Sequence, residues 1–301
     1  METADNKVFI TMFHKFSFKY RNKVIDSETM KSEKLVKLFT YLLMNHQRSL
    51  PSSELADMLW YFEDIDNPIG ALKNLVYRLR ALLKKEFGMS DFITTGAYSI
   101  NPAYTISMDV SDFDICNNDL TNAQGNEAEL YQRLIQLYRG KFLSEIKGDH
   151  NILSKSAYYH SIYIGRVIEY ANLLEENKEY AEMERLARNA IEIDDLEEDL
   201  YEILIRALYF QKQYKKAYEV YRSTTELLYE ALGIKPSKSL QDLHNLIKKE
   251  IHEENVDILE VQQELIEEEE EKNGAFFCEY GTFKEMYVIQ SRTIGRLGIC
   301  V

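Results

Sequence analysis

Seven residues between positions 73 and 85 have the side chains that recognise a nucleic acid: Lys73, Asn74, Tyr77, Arg78, Arg80, Lys84 and Lys85. Asparagine and arginine present paired hydrogen-bonding groups that match base edges, and lysine and arginine neutralise phosphates. From Lys73 to Lys85 there are five positive residues and no negative one. At 100° per residue, Asn74, Tyr77, Arg78, Ala81 and Lys85 share one side of a helix, flanked by Lys73, Arg80 and Lys84. Leu72, Leu75, Val76, Leu79, Leu82 and Leu83 take the other side. One side is built for burial and the other suits a polyanion lying along it, as in a DNA major groove. The competing reading is a surface helix with a solvated basic face.

The helix that would carry these residues has clear ends. Asn67 caps it, Pro68 takes the first helical position, where a missing N–H costs nothing, and Gly88 stops it. About 20 residues give a rod of roughly 30 Å. Ahead of it, 7–13, 15–19 and 22–25 read as short strands, with a turn at Arg21-Asn22. From Ser32, the stripe Leu35, Leu38, Phe39, Leu42 and Leu43 predicts a helix to about His46, and SELADMLW a shorter one after Pro51. Behind it, DFITTGAYSI predicts a hairpin turning at Gly96. Strands, two supporting helices, a basic helix and a hairpin make a winged helix-turn-helix.

Charge is distributed to match. The 301 residues carry a net charge of −14, yet the first 106 hold 14 basic and 12 acidic residues, a net of +2, which leaves −16 for the rest. The length suits two domains, and four prolines with twelve glycines favour a helix-rich chain. Cys116, Cys278 and Cys300 form no CxxC pair, which fits a reducing cytoplasm. The N-terminus lacks a signal-peptide pattern and no apolar run reaches the length of a membrane span, so no membrane partner is expected.

The stretches KSEKLVKLFTYLL, SSELADMLW, ALKNLVYRLRALL and FITTGAYSI resemble the OmpR-type winged helix, and more narrowly its version in the SARP family of bacterial transcription factors. The resemblance implies DNA contacts by Asn74, Tyr77, Arg78 and Arg80. It also implies a polymerase-contact loop at Tyr61–Asp66, with Tyr61, Phe62, Glu63 and Asp64 as its leading residues. The wing reads Gly96-Ala97-Tyr98-Ser99, where that family often has arginine after the tyrosine.

From MDVSDFDICNN onward the pattern is nearly all helical, with helices expected at 127–138, 152–176, 179–192, 196–211, 214–232 and 237–253. NKEYAEMERLARNAI aligns with QKQYKKAYEVYRSTT at an offset of 34 residues, the tetratricopeptide period, which predicts stacked helix pairs. Tyr180 and Tyr214 fall at equivalent positions and are expected to be largely buried. A plain antiparallel bundle is the alternative. Tyr138-Arg139-Gly140 with Phe142-Leu143, and Leu232-Gly233-Ile234-Lys235-Pro236-Ser237, are similar to marks of the bacterial transcriptional activator domain that follows the winged helix in SARP-type regulators.

Residues 253–272 are strongly acidic and read as a solvated helix or linker. GAFFCEYGTFKEMYVIQSRTIGRLGICV then reads as the opening of a further α/β domain cut off at Val301, or a segment that docks elsewhere. No G-x-x-x-x-G-K-[ST], G-x-G-x-x-G, H-E-x-x-H or G-x-S-x-G occurs, and no two histidines pair at i,i+4. The expectation is therefore no catalysis, no cofactor and no metal.

Taken together, the sequence predicts a mainly α protein in three parts. Residues 1–108 form a winged helix, 109–253 a helical-repeat domain, and 254–301 an acidic linker with a partial further domain. Its expected function is promoter binding at direct repeats and RNA polymerase contact by an activator, with two copies pairing on DNA. The rival is a helical-repeat scaffold or signal-receiving adaptor without DNA binding. A weaker third is a signalling enzyme or sensor whose working domain begins near Gly274.

Overall fold

Alternation in the first stretch makes strand β1 (Lys7–Thr11), with Val8 and Ile10 buried and Phe9 exposed. β2 (Ser17–Tyr20) and β3 (Lys23–Asp26) follow antiparallel, Ile10 opposite Phe18 and Phe18 opposite Ile25. Arg21 turns between them at φ 52°. Asp26 then caps a one-turn helix, α1 (Ser27–Met30), by accepting from Thr29 N at 2.8 Å. α2 (Glu33–Met44) and α3 (Ser52–Leu59) support the basic helix α4 (Pro68–Phe87). Phe18 packs on Phe39 of α2 at 5.0 Å and on Phe92 at 5.3 Å, so strands, helices and wing share one core. The computed structural model describes residues 6–61, 63–94, 98–123 and 125–254, with 284, 286 and 288–290. The chain divides into two units, Met1–Lys248 and Lys249–Val301, and the winged helix and the helices up to Lys248 make the first. The acidic stretch beyond Glu254 and the tail, with Cys278 and Cys300, lie outside the described residues, apart from those five positions.

The wing differs from a regular hairpin. Its base is held by isolated bridges, Ile93 to Ile100 and Leu50 to Tyr98, and by Thr94 N donating to Ser99 O at 3.0 Å. Residues 95–97, including the expected turn at Gly96, lie outside the described residues. A fourth strand, β4 (Thr105–Met108), pairs parallel to β1 and gives the sheet order β3-β2-β1-β4.

β4 runs directly into α5 (Asp109–Thr121), and α6 (Glu127–Leu137), α7 (His150–Glu176), α8 (Tyr180–Ile191), α9 (Glu198–Phe210), α10 (Tyr214–Leu232) and α11 (Lys238–Glu254) follow. The 34-residue repeat is visible in the turns. Lys178 and Lys212 both take a left-handed φ of 61°. Behind them Glu179 N donates to Leu174 O at 2.8 Å and Gln213 N to Leu208 O at 2.9 Å. This is one helix-ending turn used twice. Met183 and Ala217, also 34 apart, are both buried. Tyr180 and Tyr214 are only half-buried, contrary to expectation. Each opens a helix, so a neighbour covers one side: Phe210 stacks on Tyr180 at 5.0 Å and Tyr209 lies 5.5 Å from Tyr214. The deeply buried tyrosines of the array are Tyr138, Tyr159, Tyr163 and Tyr170.

The winged helix and the helical array share a seam inside the first unit. Phe13 is 2% exposed and meets Phe113, Tyr138 and Tyr159 at 5.2, 4.9 and 5.3 Å. The segment after α6 is laid along the β1–β2 turn: His14 N donates to Lys141 O at 3.1 Å, Leu143 N to Met12 O at 2.8 Å and Ser144 N to His14 O at 2.9 Å. Gly140 sits at φ 143°, where a Cβ would approach the His14 side chain to 3.3 Å. Three carboxylates of the array side finish the seam. Asp109 accepts from Met12 N and Phe13 N at 2.9 and 3.0 Å. Glu145 accepts from Phe16 N at 3.0 Å and Ser27 Oγ at 2.6 Å. Asp149 accepts from Tyr41 Oη at 3.2 Å and pairs with Lys37 at 3.3 Å. Burial opposes the Lys37 charge, but the carboxylates of Glu33 and Asp149 hold its ammonium above the usual lysine range.

Candidate nucleic-acid interface

α4 owes its position to its two ends and its leucines. Asn67 Oδ1 accepts from Gly70 N at 2.8 Å, Pro68 opens the helix, and Gly88 closes it at φ 74°. Lys23 Nζ donates to Glu86 O at 2.6 Å, covering a carbonyl of the last turn. Leu72, Leu75, Val76, Leu79 and Leu83 are buried, which turns the opposite side outward.

That outward side carries six of the seven candidate residues. Lys73, Asn74, Arg78, Lys84 and Lys85 are exposed, and Tyr77 is 72% exposed. An exposed tyrosine between arginine and lysine is an amphipathic contact group of the kind that packs on sugars and bases. Lys85 has Glu86 at 3.3 Å, but its side chain remains 80% exposed, so the pairing holds little of its charge. Tyr77, Arg78, Ala81, Leu82 and Lys85 also edge a shallow groove completed by Met30 and Leu35.

Arg80 is placed differently. At 100° per residue it borders the buried stripe, and it is half-buried. Its Nη2 donates to Thr94 O at the base of the wing. Its Nε is enclosed and has no partner among the described residues. Nothing in the local sequence marks this tie, because the partner is a main-chain carbonyl 14 residues away.

In the loop between α3 and α4, Tyr61 is 67% exposed and Glu63 and Asp64 are exposed, while Phe62 lies outside the described residues. Lys34 of α2 holds this loop: its Nζ donates to Leu59 O at 2.7 Å, pairs with Glu63, and lies 5.6 Å from the Trp60 ring. Tyr61 and Glu63 share a cleft with Lys37, Asp149 and Asn151, so the loop adjoins the first residues of α7. Among the described residues no cluster of histidine, cysteine and carboxylate side chains has metal-binding geometry, and no helix is long and apolar enough to cross a membrane. Cys116 is a free, buried thiol, and burial pushes its pKa up.

Residues 117–248 match the family model of the bacterial transcriptional activator domain. Among solved structures the chain is similar to Mycobacterium tuberculosis EmbR, in complex with a low-affinity phosphopeptide, at a TM-score of 0.57 and 16% identity. The match covers 80% of this chain and 65% of EmbR, and at that identity the likeness is one of fold. No curated protein matches the chain.

Proposed function

We propose that this chain, in which residues 117–248 match the bacterial transcriptional activator domain behind a winged helix, is a SARP-type transcriptional regulator that activates transcription by binding promoter DNA through α4. The observation that carries this reading is the outward side of α4. Six base- and phosphate-competent residues are exposed there on a rigid helix, in the least acidic part of an acidic chain. Arg78 and Asn74 read base edges; Lys73, Lys84 and Lys85 hold phosphates, and Tyr77 packs beside them. Tyr61, Glu63 and Asp64 form the surface offered to RNA polymerase, with Phe62 in the same loop. The helical array receives a signal or a second copy, a role supported by its repeated helix pairs, which present an extended surface.

The decisive experiment is selection of genomic fragments by the purified protein, followed by sequencing of those bound. Recovery of one motif upstream of genes supports the reading, and recovery of none removes it in favour of a scaffold. With that motif, Arg78→Ala is expected to lose roughly 1–3 kcal/mol of discrimination at one base pair. Lys85→Ala is expected to weaken all duplexes alike and lower the salt slope by about one. An unchanged ratio of specific to random binding in Arg78→Ala would show that another residue reads the bases.

One winged helix covers a small interface, so two copies are expected on adjacent half-sites, where the second contact is effectively intramolecular. Direct repeats are expected, as the family resemblance implies. The array is fixed to one side of each winged helix, and no leucine-zipper pattern beside that domain would enforce a twofold. Footprinting on synthetic direct and inverted half-sites about one helical turn apart checks this. Preference for inverted sites would replace the tandem arrangement by a twofold one.

A further inference from the structure

We infer that Arg80 is a positioning residue that sets the wing against the recognition helix, rather than one of the phosphate contacts; this rests on the DNA-binding reading above. Three observations lead to it. Arg80 is half-buried while Lys73, Tyr77 and Lys84, its neighbours on the same flank of α4, are exposed. Its guanidinium donates through Nη2 to the carbonyl of Thr94. Its Nε is enclosed, which closes the Nε side of the guanidinium to a phosphate oxygen, and Nη2 is already committed to Thr94 O.

Thr94 is the right place for such a tie. Its own N–H donates to Ser99 O at 3.0 Å, its Oγ1 lies 2.8 Å from Ser99 Oγ, and the Ile93–Ile100 bridge lies next to it. Among the described residues, the two arms of the wing are joined by isolated bridges, by these bonds, and by Asn101, whose N donates to Phe92 O at 2.8 Å and whose Nδ2 donates to Asp91 Oδ2 at 3.0 Å. A hairpin so thinly paired has little stability of its own, and a charge-assisted bond from a rigid helix adds more than a neutral one would. The charge of Arg80 then acts through geometry: it fixes where the wing meets the duplex beside the groove occupied by α4. A lysine at this position has one ammonium and no planar fork, and it would not give the same fixed angle.

The test separates geometry from charge. The probe is the duplex recovered by selection with the full chain, beside a random-sequence duplex, each titrated over a range of salt. Arg80→Ala is expected to weaken the selected duplex about tenfold, a change of about 1.4 kcal/mol, while its slope against salt stays that of the wild type. Lys84→Ala, in the same series, lowers the slope by about one. Arg80→Gln keeps an uncharged amide and falls between wild type and alanine in affinity, also with an unchanged slope. In the free protein, hydrogen exchange at Thr94 N and at Asn101 N, which donates to Phe92 O at 2.8 Å, is expected to quicken in Arg80→Ala, with α4 amides unaffected. A slope lowered by about one in either variant, or wild-type exchange at both amides, overturns the inference. If the wild type binds no duplex, the DNA-binding reading fails, and the exchange measurement alone decides whether Arg80 holds the wing.

Discussion

Phe13→Ala is expected to cost about 3–5 kcal/mol and to split one unfolding transition into two. The ring is 2% exposed and lies within 5.3 Å of three aromatic rings from the array, so truncation leaves a hole between the winged helix and the array. The control is Phe9, which the alternation of β1 turns outward and which is 47% exposed. Its alanine variant should change stability by less than about 1 kcal/mol. Denaturant unfolding followed by fluorescence and by circular dichroism checks both. Wild type should give coincident curves. In Phe13→Ala the helical array and the winged helix should separate, lowering the apparent slope of each transition. A single unshifted transition in Phe13→Ala would mean that the seam is not what joins the winged helix to the array.

Asp109→Ala should be nearly as damaging, for a different reason. The Asp109 carboxylate satisfies Met12 N and Phe13 N, and also Val110 N at 2.8 Å. A buried donor left without a partner costs about 1–3 kcal/mol, so losing the two across the seam should cost about 4 kcal/mol in total. Asp109→Asn keeps the shape but turns an amide group toward N–H donors, and should also be destabilised at neutral pH. Burial pushes the Asp109 carboxyl up to about 6, against the pull of the N–H groups of Phe13, Met12 and Val110. A carboxyl whose folded value lies above its unfolded one favours folding when protonated. Its contribution is complete below about 3.8 and is lost as pH rises from there to about 6. Wild type should therefore gain about 1 kcal/mol over Asp109→Asn as pH falls from 7 to 5. Parallel stability profiles for the two proteins over that range would refute the assignment.

The elements legible in the sequence are those that carry their own signal. α4 announces itself through Asn67, Pro68, Gly88 and six apolar positions, and its exposed side follows by elimination. The repeat shows in its period, and the structure adds that Lys178 and Lys212 turn identically. What stays hidden depends on partners far along the chain. β4 is four residues whose pairing exists only because β1 lies beside it, with Thr105 opposite Lys7. α1 is one turn, too short to show a helical period. Asp109, Glu145 and Asp149 resemble any other acidic residue of an acidic chain until Met12, Phe16 and Tyr41 are brought to them. Helical angle alone puts Arg80 at the margin of the basic side, where its type makes it look like its neighbours. A repeat position says which residues are equivalent, not how many neighbours each one has, so Tyr180 and Tyr214 are less buried than the period suggests.

β4 ends at Met108 and α5 begins at Asp109, with no residue between them. The array is thus a lever welded to the sheet rather than a weight on a tether. A molecule seated on a duplex would project its array at one azimuth about the DNA axis, and slack in the chain could not correct a wrong one. Moving a half-site by five base pairs, about half a turn, would swing the neighbouring array to the far side of the duplex. Promoters served by such a protein would then be constrained in rotational phase more tightly than in distance, tolerating the insertion of a whole turn better than half of one.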